Sequence, residues 1–351
     1  MDENRIDSHK LIFHPGRVNQ WKRQGDCFPI YVEIGLTSRC NHRCIFCALD
    51  WLGHRNGDID KTILISALKD MADHGVKAIM FAGEGEPLLH GDAPDFIKTA
   101  GEFGIKTALT TNGVLLDSKK AEAILPYLSW IRFSVNAGDA EQYAEIHGTR
   151  PDDFNRVMKN IENAVKIKNR QKLDVDIGVQ VLMLPESIQG ITSLAQRVKC
   201  IGVDNFQVKP YSKHPKSKNE IIVNDEIYND FEKTIQSFES PSFKVFFRKH
   251  TIQRMQAGFG YTHCHGLSFF ALVTTQAHVI PCNLYYERPE MIYGNLAQES
   301  FSEIWKGDRR KNVMETLSGK GIKECRKGCR LDAVNHYLER IKYPGPRDDF
   351  I

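Results

Sequence analysis

Between residues 30 and 208 the chain passes six times through a short apolar run of strand length, and stretches with helical spacing separate the runs. The apolar runs lie at 30–36, 76–82, 105–111, 130–135, 173–184 and 203–208, and the helical patterns at 60–73, 94–103, 118–125, 154–168 and 187–200. In the first helical pattern Ile63, Leu64, Ala67, Leu68 and Met71 recur at the intervals that share one helix face, with Asp60 placed as N-cap and Gly75 as terminator. Strands that alternate with helices through short links predict an α/β fold, a parallel sheet with right-handed helical crossovers. Six such units are fewer than the eight of a closed barrel. In folds of this kind the chemistry gathers at the carboxyl ends of the strands, so the loops leaving them are where functional residues belong.

The loop leaving the first strand reads Cys40-Asn41-His42-Arg43-Cys44-Ile45-Phe46-Cys47. Three thiolates in a C-x3-C-x2-C array can grip three irons of a [4Fe-4S] cluster and leave the fourth iron open. A cluster that only transfers electrons normally has four cysteines, so a three-cysteine loop suggests that a small molecule supplies the missing ligand. A zinc site would need a fourth His or Cys ligand, and His42 is too close in sequence to supply it comfortably. Buried cysteines serving as small hydrophobes need no fixed spacing.

This spacing, with an aromatic just before the last cysteine, resembles the radical S-adenosylmethionine (SAM) superfamily. The resemblance implies a partial (β/α)6 TIM barrel open along one side, with SAM bound through its amine and carboxylate to the open iron. Further positions match at the strand ends. Gly83-Glu84-Gly85-Glu86-Pro87 after strand two resembles the family's Gly-Gly-Glu-Pro motif, with Glu84 at the first glycine position, and implies that Gly85 and Glu86 receive the SAM ammonium group. Thr111 and Asn112 after strand three, Ser134 and Asn136 after strand four, and Gln180 on strand five look like the positions that line the SAM pocket, with Phe46 near the adenine. Strand six delivers Lys209, the candidate substrate-binding cation or proton acceptor.

The chain has nine cysteines, and beyond the first three stand Cys264, Cys282, Cys325 and Cys329, with Cys27 and Cys200 left over as buried or incidental thiols. An apolar hairpin, 269–274 and 278–281, brings Cys264 and Cys282 together, and four thiolates in two pairs suit either a full [4Fe-4S] cluster or an all-cysteine zinc site. The 17-residue cysteine interval, the Gly294-Asn295-Leu296 turn, the helical pattern around Trp305 and the late cysteine pair resemble the auxiliary-cluster domains called SPASM and Twitch. Four cysteines rather than seven resemble the single-cluster form of the 2-deoxy-scyllo-inosamine dehydrogenase type, although the last pair is C-x3-C where that type has C-x2-C. The implied organisation is an N-terminal extension over 1–27, a radical SAM partial barrel over 28–211, connecting elements over 212–262 and a smaller C-terminal α+β auxiliary-cluster domain over 263–351. Within the connection, 212–219 reads as a polar, basic loop able to act as a lid.

The resemblance implies reductive cleavage of SAM by an electron from a flavodoxin- or ferredoxin-like donor, giving a 5′-deoxyadenosyl radical that takes a hydrogen atom from substrate. A fully ligated second cluster implies an electron acceptor, hence an oxidation. The substrate expected is a small carbohydrate, cyclitol or nucleotide-linked metabolite. A peptide is the alternative, disfavoured by the short stretch before the first strand, and a non-catalytic iron–sulfur carrier would leave the SAM-pocket motifs unexplained. A net charge of +3 with scattered Lys and Arg argues against a nucleic-acid partner. No stretch approaches the roughly 20 apolar residues of a membrane span, and an acidic N-terminus without a signal-peptide apolar region points to the cytoplasm.

Overall fold

The computed structural model describes residues 9–223 and 227–350. One sheet runs through the molecule. Its strands are β1 (Tyr31–Ile34), β2 (Ala78–Phe81), β3 (Lys106–Thr111), β4 (Leu128–Ser134), β5 (Asp176–Met183), β6 (Asn205–Pro210), β7 (Lys244–Phe247), β8 (Phe270–Val273), β9 (His278–Ile280) and β10 (Gly294–Asn295). The spatial order is β10-β9-β8-β1-β2-β3-β4-β5-β6-β7. All six expected strands are present and parallel, and β7 continues the parallel array beyond them. The C-terminal hairpin does not stand apart: β8 pairs parallel with β1, and β9 and β10 extend the sheet antiparallel.

Strand alternation sorts the two faces of the sheet. Val32, Ile34, Ile79, Phe81, Phe133, Val179, Val181, Phe206 and Val208 are buried in the main core against the crossover helices. The intervening residues form the other face, where Met80, Ala82 and Ala108 pack with Tyr31 and Trp130. That face is concave. Strands lie about 4.8 Å apart, so a flat sheet would put β6 roughly 24 Å from β1. Yet Arg330, hydrogen-bonded to Tyr31 and ion-paired with Glu33 of β1, is among the charges that act on Lys209 of β6. The curl of the sheet closes that distance and makes a lumen.

Three local structures were not legible in the sequence. Within the N-terminal extension a helix spans Pro15–Gln24, with Pro15 in its first turn, Gly25 at φ 78° ending it and Val18 and Trp21 as its buried stripe. Two apolar residues in ten are too few to show a period, although the Pro and Gly punctuation is there. Residues 1–8 of that extension lie outside the described residues, and the connecting stretch carries a helix over Ile227–Gln236. A second unexpected helix, Ala140–His147, is capped by Asp139, whose side chain accepts from the Gln142 amide. The third concerns 212–219, which is partly packed: His214 is buried and stacks on Trp51, Lys216 lies 4.3 Å over the same ring, and Ser212 Oγ donates to the Lys327 carbonyl, while Lys213, Pro215 and Lys218 are exposed. Among the described residues no helix is long and apolar enough to cross a membrane.

Candidate functional site

The loop after β1 brings Cys40, Cys44 and Cys47 together, each a half-buried free thiol. Burial pushes all three pKa values up, Cys40 to about 11, and neighbouring thiols add to the effect at Cys40 and Cys44. Soft sulfurs that pay a penalty for ionising alone are suited to a metal that replaces the protons, and this donor set fits the three-cysteine cluster. The loop is clamped from outside its own sequence. Arg43 and Ile45 donate their amides to the carbonyls of His147 and Ile146 at 2.9 and 3.0 Å. Gly148, at φ 56°, leaves room for that contact, because a Cβ there would stand 2.4 Å from the Arg43 carbonyl oxygen.

His147 reaches the cysteine loop directly. Its Nδ1 lies 3.4 Å from Cys44 Sγ, while its Nε2 accepts the Asn136 amide at 3.1 Å. An accepting Nε2 in a neutral ring leaves the proton on Nδ1, so the imidazole donates to Cys44. Burial holds its pKa well below the ordinary value, keeping it neutral. With His42, these form a compact His42, Cys44 and His147 group in which the ligand atoms lie within 4.8 Å of one another. His147 belongs to the unforeseen helix, and the signal in the sequence, Asp139 and Gly148 bracketing eight residues, was present but weak.

Gly85 and Glu86 brace the cysteine loop. A Cβ on Gly85 would lie 2.2 Å from the Arg39 carbonyl oxygen, and the Glu86 amide donates to that same oxygen at 2.9 Å. The Glu86 carboxylate is buried and accepts from Thr111 Oγ1 at 2.6 Å, the Asn112 amide at 2.7 Å and the Leu88 amide at 3.2 Å. Burial raises its pKa, and these three bonds oppose the rise. Asn112 Nδ2 reaches back to Asn41 Oδ1 in the cysteine loop at 2.8 Å. Glu84, the departure from the family motif, accepts from the amide and hydroxyl of Thr275 at 3.0 and 3.2 Å and so ties the second strand's loop to the turn between β8 and β9.

The remaining candidates divide. Ser134 and Gln180 are half-buried and stand in register on the concave face, beside Gln207. Asn136 is fully buried, and its Oδ1 takes the Leu182 amide at 2.6 Å, so it holds β5 to β4 rather than facing the lumen. Phe46 packs edge-on to His147 and joins Ile146, Leu182, Leu184 and Tyr211 in an apolar cluster at the ends of β5 and β6. Lys209 stands on the concave face, and burial and then the positive charges of Arg326, Arg248, Arg330 and Arg132 hold its pKa well below 10.5.

Cys264, Cys282, Cys325 and Cys329 line one cavity together with Met314, Leu317 and Arg326. Burial pushes the Cys264 thiol up to about 12 and Cys325 to about 11, with Cys329 adding to both. Asn335 Nδ2 donates to Cys264 Sγ and the Leu331 amide to Cys329 Sγ, each at 3.4 Å. Four soft donors in a half-buried pocket, with amide donors to the sulfurs, fit a fully ligated cluster. Cys27 is buried and bonded to the Ser268 carbonyl, and Cys200 is exposed.

Residues 34–195 match the family model described as Radical SAM superfamily, and 264–330 the one described as an iron-sulfur cluster-binding domain, SPASM. Among curated proteins the chain is similar to the GTP 3′,8-cyclase of Chlorobaculum tepidum, 35% identical over 38% of this chain and 40% of that protein. It is also similar to the GTP 3′,8-cyclase of Nautilia profundicola, 30% identical over 45% of this chain and 49% of that one. The chain thus spans less than half the length of these relatives. The fold is shared with Streptococcus suis SuiB bound to S-adenosylmethionine, at TM-score 0.67, 19% identity and coverage of 96% of this chain and 80% of that one. It is shared too with native anSMEcpe with bound AdoMet, at TM-score 0.59, 19% identity, 90% of this chain and 95% of that one.

Proposed function

We propose that this chain, a radical SAM enzyme with a radical SAM domain over 34–195 and a SPASM cluster-binding domain over 264–330, abstracts a hydrogen atom from a small polar metabolite and oxidises it. The residues that would hold the first cluster are Cys40, Cys44 and Cys47, and those for the second are Cys264, Cys282, Cys325 and Cys329. When bound, the first cluster with SAM supplies a 5′-deoxyadenosyl radical and the second an acceptor for one electron.

The observation that carries this reading is the segment 325–330. It holds two of the auxiliary cysteines, and its arginines turn toward the barrel: Arg330 pairs with Glu33 of β1, and Arg326 acts on Lys209 of β6. A substrate in the lumen then borders both cluster sites. Phe46, Ser134 and Gln180 orient the cofactor from the strand ends. The partly packed 212–219 loop excludes water from above, which matters because a primary alkyl radical attacks almost any nearby C–H bond. Oxidation of a carbinol carbon removes a hydrogen atom, a proton and an electron. Lys209 is the group to take the proton, since burial and then like charge hold its pKa well below 10.5 and make it a readier base than a free lysine.

Relatives named for a reaction on GTP favour a nucleotide-linked metabolite over a free carbohydrate or cyclitol of the 2-deoxy-scyllo-inosamine type. A second reading, a peptide substrate, draws on SuiB, whose fold is shared and which has been crystallised with its precursor peptide SuiA. A flavodoxin- or ferredoxin-like protein is the proposed donor, in the cytoplasm. The test is incubation of the reconstituted enzyme with SAM, dithionite and deuterated candidate substrates. The reading requires 5′-deoxyadenosine well above a Cys44→Ala control and deuterium in that product; deuterium arriving only from a peptide would replace the metabolite with the second reading.

A further inference from the structure

We propose that the lumen grips the substrate by a phosphate group, received between Arg132 of β4, Lys209 of β6 and Arg326 of the auxiliary segment. This deepens the metabolite reading above and rests on it. Among the described residues none of these three side chains has a hydrogen-bond or ion-pair partner, and Arg132 Nε is buried without one. Arg132 Cζ instead lies over the Trp130 ring, 4.6 Å from its centroid, a contact that steadies the guanidinium while leaving its donors unspent. A buried donor left unsatisfied, as Arg132 Nε is, is costly, and natural interiors rarely keep one without a ligand; Lys209 and Arg326 are half-buried.

The nearby acids do not fill the need. Glu33 is taken by Arg330, and Asp176 receives the Asn205 amide. Cys282 and Cys329 lie near Arg326, whereas Arg132 feels Asp176 and Tyr31 rather than the cysteines. Donors that converge from three separate elements suit a tetrahedral group with three free oxygens better than a planar carboxylate, which offers two. On the same face Gln207 Oε1, 1% exposed in its residue, has no donor and is placed to accept from a substrate hydroxyl.

Titration calorimetry of the holoprotein, both clusters loaded and SAM present, tests this with inorganic pyrophosphate as probe and malonate as the carboxylate comparison. Pyrophosphate is expected to bind about tenfold or more tightly than malonate, and Arg132→Gln and Arg326→Gln each to weaken it about tenfold, Arg132→Lys less. Absence of pyrophosphate binding to the wild type, equal binding of malonate, or unchanged affinity in both Gln variants overturns the proposal. If the variants fail to take up their clusters, the wild-type comparison of the two anions decides alone. A wild type that forms 5′-deoxyadenosine yet ignores pyrophosphate sinks this proposal only, whereas one that binds pyrophosphate and never cleaves SAM sinks only the reaction.

Discussion

The His147 imidazole spends one nitrogen on the Asn136 amide and the other on Cys44, so strand four's end and the cysteine loop share one rigid ring. A donor to a ligating sulfur stabilises the more negative, reduced state of a cluster, and groups that orient ligands commonly matter 10–100-fold in activity. His147→Leu should therefore move the first cluster's potential to more negative values in an EPR-monitored titration and slow 5′-deoxyadenosine formation by about tenfold or more. An unchanged potential would limit His147 to packing. Lys209 gives a prediction with the opposite sense for stability and activity. Its folded pKa lies below the 10.5 of the free side chain, so between those values the unfolded chain binds more protons and stability rises with pH. Lys209→Met should melt higher than wild type at neutral pH, the gap narrowing as pH climbs toward 10.5, while substrate oxidation is lost. A gap that widens with pH would contradict the assignment.

At the scale of elements, the loop after β1 owes its shape to its neighbours more than to itself. The loop after β2 presses on it at Gly85, and the end of Ala140–His147 presses at Gly148. Both contacts are backbone against backbone, so neither can yield to a rotamer change. Gly85→Ala would put a methyl carbon 2.2 Å from the Arg39 carbonyl oxygen. Overpacking of that kind costs roughly 1–3 kcal/mol, and because the displaced backbone carries Cys40, iron content should fall along with the melting temperature. Retention of full iron by a destabilised Gly85→Ala protein would separate the brace from the cluster.

Across the whole molecule the auxiliary part is joined to the barrel by a shared sheet and by charge. β8 pairs with β1, Glu84 binds Thr275, Arg330 binds Glu33, and buried Arg310 is held by Asp26 and lies over the Trp305 ring. Glu84→Ala removes an acceptor from two donors, and hydrogen bonds to a charged group are worth about 1.5–3 kcal/mol. The expected result is a loss of that size in denaturant unfolding, with faster amide exchange in the turn between β8 and β9 and no change in SAM affinity. Weaker SAM binding instead would assign Glu84 to the cofactor.

The sequence by itself determined the strand and helix alternation, the three-cysteine loop and the second set of four cysteines, because periodicity and ligand spacing are local and survive without coordinates. The resemblance, not the periodicity, singled out Glu86, Ser134 and Gln180, which stand after β2, at the end of β4 and within β5. Only the tertiary structure decided that His147 donates to Cys44, that Glu84 serves the hairpin, that Asn136 turns into the wall, and that β8 closes against β1. It alone gathered Arg132, Lys209 and Arg326, residues separated by up to 194 positions, around one lumen. Such convergence depends on sheet curvature, which is the sum of many small strand twists and leaves no mark at any single residue.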